Sequence, residues 1–176
     1  MIRMWVPMKT TTKTVSFDLA KVLLTEDQLS DLISTAMADT CGFEWWKEGD
    51  PSDYDKAEEE LAKELGVESD DLYFEQIWAR MLFNGGSLLL LESESDWHWK
   101  GFDEGTILWN WQIKSSGTEP EGGTWHEITL EKICKGLALY MTDKKISSVD
   151  KIIEDGDFWD ADAVFQYAAY GEVIFG

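Results

Sequence analysis

Leu130, Ile133, Cys134, Leu137, Ala138 and Met141 recur at i, i+3, i+4 and i+7, behind Thr129 as a cap. Such a stripe is the buried face of an amphipathic helix and requires an apolar layer to cover it. SLLLLES (87–93) reads as a buried strand, and TKTVSFDL alternates Val15, Phe17 and Leu19 on one face. TWHEITL returns the chain to strand just before the Thr129 helix. Strands and helices in this order predict an α+β fold: an antiparallel sheet with several packed helices. At 176 residues one domain suffices. Residues 1–9 are expected to be a flexible extension and 10–176 a single domain, with 40–86 an acidic helical insertion.

Other boundaries follow from caps and breakers. T-E-D-Q at Thr25–Gln28 is a capping box, followed by the stripe Leu29, Leu32, Ile33, Ala36 and Met37, with an end near 39–42. GFEWWKEGDPSDYDK reads as irregular. Ser52 is the expected cap of a helix over Asp53–Leu65, stopped by Gly66, with Glu58, Glu59, Glu60 and Glu64 outward. Ser69 is the expected cap of a helix over Asp70–Phe83, burying Leu72, Phe74, Ile77, Trp78, Met81 and Leu82. WHWKGF and TILWNWQIK read as strands joined at Asp103–Gly105, and Ser115–Gly123 as a loop. Asp143–Gly156 reads as loop-rich. Asp160 is expected to cap a last helix ended by Gly171, and EVIF to add a short strand.

The charge is the strongest global signal. There are 35 acidic residues against 15 Lys and Arg, a net charge of −20. From Asp39 to Glu75 there are 14 acidic residues against Lys47, Lys56 and Lys63, so over half of the excess sits in one short segment. Such a chain repels a phosphate backbone, which needs cations to neutralise it. Its natural partners are basic surfaces, above all grooves built to hold nucleic acid. No stretch reaches the length of a membrane helix, and the N-terminus has no apolar run of export type. Two cysteines, Cys41 and Cys134, in such a chain read as reduced cytosolic thiols.

Catalytic constellations are sparse. Cys41, His98, His126 and Cys134 lack zinc-site spacing, and Cys134 falls on an apolar stripe. Glu154–Asp162 is carboxylate-rich but does not match a calcium loop. Asp103 with Gln112 and Lys114 only faintly echoes a nuclease site. No nucleophile elbow or phosphate loop is present. No cofactor or metal is expected, and the chain reads as non-enzymatic. Trp97/Trp99 and Trp109/Trp111 form two W-x-W pairs surrounded by acids, which disfavours base stacking. Core filling is the leading reading for them, a protein-binding patch the next.

Four stretches carry a resemblance: VSFDL…TEDQLSDLISTAM, GGSLLL, EITLEKICKGLALYM and DADAVFQYAAYGEVIFG. Together they resemble a family of small acidic proteins of phages and mobile elements in Firmicutes, some of them counter-defence, anti-CRISPR inhibitors. The resemblance implies a stoichiometric inhibitor with no catalytic residues to transfer. With the charge, it leads to an acidic, DNA-mimicking surface that binds a type II CRISPR nuclease carrying its guide RNA. Asp50, Asp53, Asp55, Glu58, Glu59 and Glu60 are the expected contact carboxylates, with Trp45 and Trp46 as anchors. The alternatives are a phage accessory or assembly protein binding through a Trp-rich patch, and an enzyme or metal-dependent module, which would hold metal tightly or lose activity when His98 or His126 is replaced.

Overall fold

The computed structural model describes residues 12–16, 21–38, 42–99 and 120–175. The N-terminal extension, Phe17, Leu19, Cys41, the Asp103–Gly105 turn, Trp109, Trp111, Gln112 and Lys114 lie outside the described residues.

The fold is α+β, a single domain. Strands β1 (Thr12–Ser16) and β2 (Lys21–Thr25) form an antiparallel pair with Val15 opposite Val22. Helix α1 (Glu26–Ala36) follows at once. The central sheet has the order β3-β4-β7, all antiparallel, from β3 (Phe43–Glu48), β4 (Ser87–Glu92) and β7 (Trp125–Thr129). Between β3 and β4 run α2 (Pro51–Leu65), a 3₁₀ turn at Ser69–Asp71 and α3 (Phe74–Phe83). Strands β5 (Trp97–Trp99) and β6 (Pro120–Gly122) make a second small ribbon. Helices α4 (Leu130–Lys144), α5 (Val149–Asp155) and α6 (Phe158–Tyr170) complete the described chain.

One core joins these elements. Leu88 and Leu90 of β4 point inward with Ile128 of β7, against Ile33 of α1, Ile77 and Met81 of α3, and Val164 and Phe165 of α6. Ala57 and Leu61 of α2 are fully buried in the same cluster. The apolar stripe from Leu130 to Met141 is buried throughout. Its helix lies very close to α6: a Cβ added at Gly136 would stand 2.4 Å from the Val164 carbonyl oxygen. On the other face of β4, Leu91 is covered by the chain at Gly123, whose φ of +71° and contact with Leu91 Cδ1 leave no room for a side chain.

Several sequence expectations are corrected. FEWWKE is a strand, not irregular chain. The register slips between Phe43 and Trp45, a bulge that hides the alternation. KVLLT, which gave no separate signal, is β2. Asp50, not Ser52, caps α2: its Oδ1 accepts from the Ser52 N–H at 2.9 Å, and Pro51 fills the first helical position, where no N–H is needed. The segment after Ser69 makes one 3₁₀ turn and breaks at Leu72. Helix α3 starts at Phe74, with the Tyr73 N–H held by Gln76 Oε1 at 3.1 Å, and Phe74 is exposed rather than buried. The end of the expected Ser115–Gly123 loop is strand β6, where proline is tolerated because it opens a short edge segment. Val149–Asp155 is helical, burying Val149 and Ile152. Asp157 caps α6, and Asp160 is its partner three residues on: each backbone N–H donates to the other's carboxylate, at 3.1 and 3.2 Å. Residues 172–175 form no strand.

Candidate partner-binding surface

Helix α2 presents most of the expected carboxylates. Ala57 and Leu61 fasten one side to the core, with Tyr54 half-buried beside them. Asp50, Asp53, Asp55, Glu59 and Glu60 are exposed, and Glu58 is half-buried. At 100° per residue, Asp55 and Glu59 fall on one flank and Asp53, Glu60 and Glu64 on the other, with Lys56 and Lys63 between. The six residues therefore share a helix but not one unbroken acidic face.

Two of these carboxylates, Asp50 and Glu60, also have local work. The Ser52 backbone N–H, then its side chain, hold the Asp50 carboxyl below its ordinary range. Glu60 accepts from Asn84 Nδ2 at 2.9 Å, tying α2 to the end of α3. Burial, then the nearby carboxylates Glu58, Glu48, Asp55 and Glu75, push the Tyr54 phenol up to about 12. Glu68, Asp70 and Asp71, all exposed around the 3₁₀ turn, carry the negative surface past the end of α2. The expected site omitted them, although the acidic run in the sequence includes them.

A buried ionic link anchors α2 and α3 to α1. Arg80 Nε donates to both Glu26 oxygens, at 3.0 and 2.8 Å, and Nη2 to Glu64 Oε2 at 3.1 Å. Glu26 is 2% exposed and Arg80 7%. Burial raises the Glu26 carboxyl, opposed by the Arg80 hydrogen bond and charge and reinforced by Glu64 and Asp27.

The two expected anchors differ. Trp46 packs edge-on against Phe165 at 4.6 Å and Phe43 at 6.2 Å, on the inward face of β3. Trp45, the next residue, pairs with Leu91 on the opposite face of the sheet and is half-buried. Lys47 on that face sits 4.8 Å over the Trp125 ring. Trp46, also half-buried, thus packs against the core while Trp45 faces the other side of the sheet, so the two rings point apart. Trp97 donates its indole N–H to Ser93 O at 3.3 Å, and Trp97–Trp99 pairs with β6, Trp97 opposite Gly122.

The histidines are separate. His98 is exposed, 3.9 Å from Glu121 Oε2. His126 Nε2 lies 3.0 Å from Glu92 Oε2, and the Tyr170 hydroxyl donates to the same oxygen at 3.2 Å. The His126 and Tyr170 rings meet edge to face at 4.6 Å, locking the sheet to the end of α6. Burial and the Glu92 carboxylate hold the Tyr170 phenol well above its usual range. Cys134 is buried in the core. Among the described residues no three His, Cys, Asp or Glu side chains converge on a metal position.

The carboxylates of Glu154–Asp162 are largely committed to structure. Asp160 accepts from the Tyr140 hydroxyl. Asp162, 3% exposed, accepts from the Gly42 N–H at 3.1 Å and from Gln166 Nε2 at 2.5 Å. Gln166 Oε1 accepts from the Ile174 and Phe175 N–H groups, each at 2.8 Å, pinning the C-terminal segment. The spacing D-A-D-x₃-Q in the last helix is therefore a set of backbone clamps. Among the described residues no helix is long and apolar enough to cross a membrane. No family model, curated protein or solved structure matches this chain.

Proposed function

We propose that this chain is a phage-encoded, non-enzymatic inhibitor that works stoichiometrically, its acidic surface standing in for nucleic acid in a Lys/Arg-lined channel. The leading target is a type II CRISPR nuclease with its guide RNA, an enzyme class that holds the heteroduplex in a positively charged channel. The observation that carries the reading is the net charge of −20, concentrated where exposed α2 carboxylates and the 3₁₀-turn acids stand on an anchored support. A fixed array of carboxylates steers a basic partner at long range and excludes competing phosphates.

The test is target-DNA cleavage by a purified type II nuclease loaded with guide RNA, with and without the protein, across a salt series. Inhibition at stoichiometric ratio that fades with salt is expected. The triple variant Asp53→Asn, Asp55→Asn, Glu59→Gln should lose inhibition while melting no lower than the parent. Full inhibition by this variant, or block indifferent to salt, would remove the α2 surface from the mechanism. No inhibition at excess would remove that nuclease as the target.

A further inference from the structure

Trp159 is 57% exposed, the most exposed large hydrophobic side chain among the described residues. Its exposure is built in. It is the second residue of α6, whose start is fixed by the reciprocal Asp157–Asp160 hydrogen bonds. The far side of that turn is held in the core by Ala161, Val164 and Phe165. Phe158 meets the indole edge to face at 5.1 Å. A large aromatic presented on a rigid helix start loses little conformational freedom when a partner covers it, which is why tryptophan is favoured as an interface anchor.

The surroundings specify the partner's charge. In residues 147–176 the one cation is Lys151, against Asp150, Glu154, Asp155, Asp157, Asp160, Asp162 and Glu172. Glu154, Asp155 and Asp157, all exposed, immediately precede the aromatic pair. An exposed indole that follows three exposed carboxylates in the chain suits a guanidinium. Its plane stacks on the ring while its N–H groups reach carboxylate oxygens, a combination that a lysine ammonium reproduces less well. Phosphate chains are repelled by the same acids.

We propose that Trp159, with Phe158 and the carboxylates of the α5–α6 corner, is a docking point for an arginine-bearing protein segment. It lies on different elements from the α2 surface and stands or falls independently of the inhibitor reading. The probe is a fluorescein-labelled peptide alternating glycine and arginine, compared by anisotropy with its glycine–lysine counterpart at equal charge. The parent protein should favour the arginine peptide. Trp159→Ala should weaken arginine-peptide binding about three- to fivefold, the worth of an exposed cation–π contact, and abolish the preference, while Trp159→Phe retains part of it. The α2 triple variant should keep the preference. Equal binding of both peptides by the parent, unchanged binding by Trp159→Ala, or a preference lost in the α2 variant instead would overturn the assignment.

Discussion

Replacing Arg80 with methionine isolates the energetics of the buried ionic link. The substitution keeps an apolar stem of similar length but removes three charge-assisted hydrogen bonds, two to Glu26 and one to Glu64. Glu64 remains near water, whereas Glu26, 2% exposed, is left buried without its counter-charge. Breaking one side of such a pair costs about 3–5 kcal/mol, and for a chain of this size each kcal/mol lowers Tm by roughly 2–4 °C. A drop of about 6–20 °C at pH 7 is expected. The sign of the pH dependence is specific. The Glu26 carboxyl already lies above its ordinary value, and losing Arg80 removes the two contributions that lower it. The folded variant then binds a proton more readily than the unfolded chain. Its unfolding free energy therefore falls as pH rises from the ordinary carboxylate value through the raised one. The deficit relative to the parent should be largest at pH 7 and shrink toward pH 4. Urea unfolding at both values measures it, with Glu26→Leu/Arg80→Met as the cycle's closing corner, expected within about 2 kcal/mol of the parent because an apolar pair replaces an ion pair. A single Arg80→Met variant within about 1 kcal/mol of the parent at pH 7 would refute the reasoning, as would a deficit that ignores pH.

Gly136→Ala should destabilise by about 1–3 kcal/mol, because its methyl group meets the α6 backbone rather than a flexible side chain; thermal melting checks it. Trp46→Ala should cost roughly 2–3 kcal/mol and Trp159→Ala less than about 0.5, separating a tryptophan packed on the core from an exposed one by chemical denaturation. Gln166→Leu should release the Ile174 and Phe175 amides, read as much faster hydrogen exchange at those two positions. Absorbance titration of Tyr54→Phe against the parent should assign to Tyr54 a phenol ionising near pH 12.

Helices with a clean stripe and a cap box were legible because both signals are local. Thr25 with Gln28, and Thr129 ahead of Leu130, act in the structure as the sequence suggests. Gly66 and Gly171 end their helices in the left-handed conformation. The acidic run also placed its exposed carboxylates on a helix correctly. It did not show that Lys56 and Lys63 divide them or that Glu58 is half-buried, since those depend on helix phase, which Ala57 and Leu61 set by burial. Asp157 and Asp160 were easily confused because in a reciprocal box either residue offers a carboxylate.

The sequence by itself determined the α+β class, the buried strand Ser87–Glu92, the helix stripes and the acidic imbalance, because periodicity, capping and charge are properties of neighbouring residues. Only the tertiary structure decided that FEWWKE joins the central sheet, that Trp46 packs against the core while Trp159 is exposed, and that Glu26, Arg80 and Glu64 meet. Strand pairing, a bulge and the burial of charge depend on residues far apart in the chain. Residue 26 meets residue 80, and Gly42 meets Asp162, only once the core has closed around them.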